Sequence, residues 1–292
     1  MSVPEDGSES REPLRPETTP ERDAGVETGL PSASGQRVRV GLVMPAWNEE
    51  QALPLVLAEL PREGLTRIVV VDNGSTDRTP ELAAAAGAEV VHEPRRGYGQ
   101  ACLAGLAALR EPGPGGEPPW TADDLVVFLD ADHSDHPTDL PDVLAPLLAH
   151  EADFVIGSRV LGGADMQALL PQAWFGNRLA CFLMRVLFRA RYTDLGPFRA
   201  IRWDALEALA MRDTDFGWTV EMQLKAKSFG LRVREVPVRY RKRVGQSKIT
   251  GTLRGTLAAG WKILGWIGVW RLRLWFTRSE RPRYRARSRG ES

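Results

Sequence analysis

The sequence predicts an α/β protein: one mostly parallel, mixed sheet flanked by helices. Three observations predict it. Three apolar runs, 37–44, 67–71 and 125–129, are rich in β-branched residues throughout, as suits strands buried on both faces. Each run ends in a polar turn, and alanine- or leucine-rich helical stretches follow the first two. Carboxylates stand at the tips of the runs, where ligands of open α/β sheets gather.

Before the first strand, residues 1–36 carry eight acids against three arginines and many Pro, Ser, Thr and Gly residues, so they are expected to be disordered. They lack the apolar core of a secretory signal. The first strand ends in Pro45-Ala46-Trp47-Asn48-Glu49-Glu50 and leads to a helix over 53–60. The second runs into Asp72-Asn73-Gly74-Ser75-Thr76-Asp77 before a helix over 80–86; Thr76 and Asp77 fit a helix cap as well as a ligand contact. Arg95-Arg96-Gly97-Tyr98-Gly99-Gln100 opens a helix over 101–109, and the Pro/Gly-rich stretch 111–119 is expected to be a flexible insertion.

The third strand ends in Asp130-Ala131-Asp132. Two carboxylates this close repel unless a cation or donors hold them, and Mg2+ or Mn2+ takes oxygen ligands and bridges carboxylates to phosphates. An Asp at a strand end also serves simply as a turn residue. Further on, 171–190 reads as an amphipathic helix with Arg178, Arg185 and Arg189, suited either to packing on the sheet or to a bilayer.

Segment 253–276 is tryptophan-rich but broken by Arg254, Lys262, Arg271 and Arg273. Only eight residues separate Lys262 from Arg271, against about 20 for a span. It fits a packed or an interfacial helix, followed by an arginine-rich tail over 278–289 that favours an anionic surface.

With 38 basic and 38 acidic residues in 292, the charge is balanced and the chain is long enough for a large core. Cys102 and Cys181 are too few for a disulfide framework and read as core thiols of a reducing compartment. The four histidines make no zinc pattern.

Pro45-Ala46-Trp47-Asn48-Glu49, the Val69-to-Asp77 run, Leu129-Asp130-Ala131-Asp132 and Gly157-Ser158-Arg159 stand in the order and spacing of family 2 glycosyltransferases, which the chain resembles. Gly196-Pro197-Phe198-Arg199-Ala200, Gly217-Trp218-Thr219-Val220-Glu221, Val236-Pro237-Val238-Arg239-Tyr240 and Arg243-Val244-Gly245-Gln246-Ser247-Lys248 extend the likeness to the dolichyl-phosphate mannose synthase and polyprenyl-phosphate glycosyltransferase branch. Its spanless forms are the nearer match.

The resemblance implies the GT-A fold, a nucleotide-diphospho-sugar transferase fold, over a catalytic domain at 37–250, then an amphipathic helical segment at 251–277 and a basic disordered tail at 278–292. It implies metal-dependent, inverting transfer of a hexose from a UDP- or GDP-sugar, with Mg2+ or Mn2+ held by Asp132 and Asp130, which also count as catalytic. The implied nucleotide-sugar residues are Pro45, Ala46, Asn48, Glu49, Asp72, Asn73, Gly97, Gly99, Asp130, Ala131, Arg159, Arg243 and Lys248. Arg199 and Trp218 face the acceptor, although Trp218 equally suits the core. A polyprenyl-phosphate acceptor is already an anion and needs no general base. A soluble or lipid hydroxyl needs one, for which Asp215 or Glu221 stands in position, while Glu221 equally fits a structural ion pair.

The mannose synthase pattern has Gln two positions after the second Asp, where this chain has Ser134 and then Asp135, which leaves the remaining metal ligands open. A sugar-1-phosphate nucleotidyltransferase would open with a glycine-rich G-x-G-x-R turn, absent here. A silent nucleotide-sugar binder would lose the metal acids, which are present. The expected partners are the donor, a polyprenyl phosphate and a peripheral membrane contact, with no nucleic acid. The expected location is cytoplasmic, at the inner face of a membrane.

Overall fold

The computed structural model describes residues 29–113, 116, 118–163 and 171–245, with the separate positions 265, 268 and 269. Disorder over 1–28, the place of Lys248, the rest of segment 251–277 and the tail 278–292 lie outside the described residues.

Residues 30–31, inside the stretch expected to be disordered through residue 36, form a strand. Strand β1 (Leu30–Pro31) pairs antiparallel with β2 (Arg37–Val38), and the Leu30 side chain packs against the core, which the polar composition around it conceals. The chain then alternates as expected: β3 (Val40–Ala46), α1 (Leu53–Glu59), β4 (Leu65–Asp72), α2 (Thr79–Ala85), β5 (Glu89–His92), α3 (Tyr98–Arg110) and β6 (Leu125–Phe128). The described positions of 111–119 carry no helix or strand. After β6 come α4 (Leu140–Leu148), β7 (Phe154–Ser158), α5 (Pro171–Phe188), β8 (Arg199–Arg202), α6 (Trp203–Leu209), α7 (Trp218–Phe229) and β9 (Val233–Pro237).

Seven strands form the main sheet in the order β5-β4-β3-β6-β8-β7-β9. All pairs are parallel except those made by β8, which runs against β6 and β7. Side chains alternate across the pleat. Val40, Leu42 and Met44 therefore join the layer with α1, α2 and α4, while Val43, Val126 and Phe128 join the layer with α3, α6 and α7. Cys102 and Cys181 are buried free thiols. The strand directions bring the carboxyl ends of β3, β4, β6, β7 and β9 to one edge.

Candidate active site

A cavity of about 410 Å³ opens at that edge. Its walls come from separate strand ends: Pro45 and Ala46 at the end of β3 with Trp47 and Glu49 beyond it, Asn73 after β4, and Asp130, Ala131 and Asp132 after β6. The start of α3 supplies Gly97, Tyr98 and Ala101, with Arg96 just before it. Asp215, Phe216 and Arg243 complete the lining.

At the floor, Asp130 accepts a 3.0 Å hydrogen bond from the Tyr98 hydroxyl. Burial and the adjacent Asp132 charge push Asp130 up to about 7. Asp132 accepts from the Ser134 amide at 2.9 Å and faces the Arg243 guanidinium at 3.2 Å. The same arginine reaches Glu49 at 3.0 Å, bridging two acids from different strand tips. It stands on a segment after β9 that the Arg241 and Val244 amides fasten to the carbonyls of Ser134 and Asp132.

Of the other expected site residues, Asn48 and Asp72 shape the cavity without lining it, and Asn73 does both. Asn48, in the left-handed region at φ 52, donates its amide to Ser75 and accepts from the Thr76 amide, tying two loops together. Asp72 is buried. Burial alone would raise its carboxyl, yet the bonds from Ser75 and His92 outweigh that and hold it below the usual range. Asn73 binds the carbonyls of Glu93 and Arg95 and the Gly97 amide, which fixes the loop before α3.

The two loop glycines do something the sequence did not show. A Cβ on Gly97 would sit 2.1 Å from the Thr214 carbonyl oxygen, and one on Gly99 2.1 Å from that of Asp213. The Gln100 amide is bonded to Thr214 O. The start of α3 is therefore a seat for segment 213–216, which brings Asp215 and Phe216 to the cavity.

The motif matches a family. The model of "Glycosyl transferase family 2" matches residues 42–209. The chain belongs to that family. An uncharacterized glycosyltransferase of Mycobacterium tuberculosis is 38% identical over 232 residues, covering 77% of this chain and 97% of that protein. The undecaprenyl-phosphate mannosyltransferase of Micrococcus luteus is 32% identical, covering 75% of this chain and 90% of its own. The dolichyl-phosphate hexose transferase of Haloferax volcanii is 34% identical, with coverage of 72% and 86%. Among solved structures, glucosyl-3-phosphoglycerate synthase of Mycobacterium tuberculosis, in complex with Mn2+, UDP and glucosyl-3-phosphoglycerate, superposes with a TM-score of 0.59 at 22% identity, covering 80% of each chain. The fold is GT-A, and the chain is a glycosyltransferase.

Four expected site residues of this glycosyltransferase point elsewhere. Arg159 grips the buried Asp194 through bonds of 2.6 and 2.8 Å, with the Tyr240 ring 5.1 Å from its guanidinium carbon. Arg199 is fully buried and donates to the carbonyls of Leu195, Gly196 and Thr219. Trp218 lies in the core with its ring edge-on to Phe128 at 5.8 Å. Glu221 accepts from the amides of Arg212 and Asp213 and pairs with Lys225 at 2.6 Å. None of the four lines the cavity. Arg199 and Trp218, expected at the acceptor, and Glu221, expected as a base or a structural acid, are each held inside the protein by partners that sequence spacing does not reveal.

The floor suits a hard divalent ion. Two carboxylates converge there, one with a raised pKa that a cation would relieve, and oxygen donors are what Mg2+ and Mn2+ take. Among the described residues no third His, Cys, Asp or Glu joins them as a ligand group. Trp47, Arg96, Tyr98 and Phe216 were not foreseen as site residues. The Arg96 guanidinium lies 3.9 Å from the centre of the Trp47 indole, and both line the cavity. The only sequence signal for them was their place inside or beside the recognised motifs.

Proposed function

We propose that this glycosyltransferase moves a hexose, with inversion, from a UDP- or GDP-sugar to a polyprenyl phosphate, using Mg2+ or Mn2+ at Asp130 and Asp132. The observation that carries the proposal is the crowded pair of carboxylates on the cavity floor, where burial and the Asp132 charge push Asp130 up to about 7. The mannosyltransferase of Micrococcus and the hexose transferase of Haloferax, both named for polyprenyl-phosphate acceptors, support the lipid-phosphate acceptor, and the Mn2+ and UDP of the solved neighbour support the donor and metal.

In this reading Pro45, Ala46 and Trp47 wall the nucleoside, and Glu49 accepts hydrogen bonds from its hydroxyl or base N–H groups. Arg243, set between Glu49 and Asp132, offers a planar fork to the diphosphate, and Lys248 adds a second cation. Tyr98 fixes the orientation of Asp130. When bound, the ion supplies charge neutralisation for the departing diphosphate. Asn48, Asp72 and Gly99 serve the donor indirectly, by holding the loops that form its walls, and Asn73 and Gly97 also line the cavity themselves. Arg159 serves it through Asp194 and the neighbouring loop.

A phosphate acceptor attacks as an anion and needs no base, which accords with Glu221 being engaged elsewhere. Asp215, on the cavity wall, supports a second reading in which a hydroxyl acceptor gives up its proton there. A polyprenyl phosphate sits in a bilayer, so the first reading places the enzyme on the inner face of a membrane. No helix among the described residues is long and apolar enough to cross one.

The test is turnover of a panel of UDP- and GDP-sugars with Mn2+ or Mg2+, with and without polyprenyl phosphate, for the native chain and Asp132→Ala. Turnover that needs metal and Asp132 and rises with the lipid supports the proposal. Turnover indifferent to lipid moves the acceptor to a hydroxyl. No donor turnover under any condition overturns it.

A further inference from the structure

Resting on the polyprenyl-phosphate reading, we propose that the outer face of α5 docks on an anionic lipid bilayer and holds the cavity mouth at the membrane. The inner face of the helix is accounted for: Ala180, Cys181 and Met184 pack against Val220 and Leu224 of α7. Its partner among the described residues is thus α7, where the sequence suggested the sheet or a bilayer. Among the described residues nothing packs against the outer face. Phe175, Phe182 and Val186 are 64%, 59% and 58% exposed, and seven- and four-residue spacings put them in one stripe.

Exposed arginines at 178, 185 and 189 interleave with that stripe, and no acid occurs from Pro171 to Thr193. Arg178 stacks on Trp174 at 4.8 Å, and among the described residues none of the three arginines makes an ion pair. Aromatic side chains with arginines beside them suit the boundary between acyl chains and anionic headgroups.

Charge selects this occupant over the two other covers. A second copy, packing the same face around a two-fold axis, would set arginines against arginines. Segment 251–277 of the chain has no acid either and carries Arg254, Lys262, Arg271 and Arg273, so it meets α5 with like charge.

The topology gives the docking a purpose. β7 ends and β8 begins at the edge that bears the cavity, and α5 lies in the connection between them. Asn177 on α5 ties the helix to that edge through the Leu195 amide at 2.9 Å and the Thr193 carbonyl at 3.3 Å. Val160 and Leu161, just past the end of β7, are also exposed. A bilayer against α5 thus lies beside the cavity, where a lipid phosphate arrives.

The experiment is co-sedimentation of the full chain with phosphatidylcholine vesicles, with and without phosphatidylglycerol. The expected result is binding that needs the anionic lipid, weakens with salt, and falls about ten-fold or more in Phe175→Ser/Phe182→Ser and in Arg178→Gln/Arg185→Gln/Arg189→Gln. Both sets lie on the surface, and circular dichroism checks their folding. Phe175→Ser/Phe182→Ser should keep its turnover with a short-chain polyprenyl phosphate in detergent. Vesicle binding unaffected by either set overturns the proposal, as does a native dimer that the phenylalanine changes dissociate. Transfer in detergent without vesicle binding overturns the docking alone; vesicle binding without transfer to any polyprenyl phosphate overturns the acceptor reading alone.

Discussion

Glu221, itself buried, holds the turn before α7 by accepting hydrogen bonds from two successive backbone amides and a buried ammonium group. Removing it leaves those amides and the Lys225 charge without their acceptor, which costs roughly 3 kcal/mol. Glu221→Ala is expected to lower the denaturant midpoint by that measure and to reduce turnover only as far as segment 213–216 shifts. A general base would behave oppositely, with turnover lost at unchanged stability. Chemistry that depends on residue type at a strand tip was legible in the sequence: Asp130, Asp132 and Glu49 reach the cavity because strands end there. Pairing across the fold was not. Arg159 and Arg199 look like phosphate-binding cations until Asp194 and a set of carbonyls are seen to hold them.

Among the elements, the legible ones are those whose burial leaves a mark on the sequence. Strands β3, β4 and β6 are covered on both faces, so their apolar runs are unbroken. Strand β8 is equally buried yet begins and ends with arginine, Arg199 and Arg202, so its pattern reads as polar. Strand β9 is only half-buried and short. The start of α3 was read as a glycine loop, but the reason for its glycines lies 114 residues further on, in the Asp213 carbonyl. Gly99→Ala drives a Cβ to 2.1 Å from that oxygen, against backbone that has little room to move. Such overpacking costs about 1–3 kcal/mol or more. The expected outcome is a lower melting temperature together with weakened donor binding, measured as KM, because Asp215 and Phe216 move with the displaced segment. Melting and KM both at the native value would show that the contact gives way freely.

At the scale of the molecule, two buried or half-buried carboxylates tie separate parts together and set its acid limit. Glu59 at the end of α1 pairs with Arg241 at 2.6 Å and with His133, fastening the segment that carries Arg243. Glu93, after β5, accepts from Arg95 and Gln100 beside the loop that Asn73 organises. The Arg241 bond chiefly holds Glu59 at about 2, and the Arg95 bond, with Gln100 assisting against burial, holds Glu93 at about 2, both from an ordinary 4.5. Between those values the unfolded chain binds protons that the folded one refuses. The stability these groups contribute is therefore complete above about pH 4.5 and drains away as pH falls toward 2. Glu93→Gln removes one of the two. It should be less stable at pH 7 by on the order of 2 kcal/mol, since Arg95 is largely exposed and water screens part of the pair. It should also lose less than the native chain between pH 5 and pH 2. Urea unfolding at pH 7, 5, 4 and 3 checks both, and parallel curves for the two proteins would mean that Glu93 titrates alike folded and unfolded.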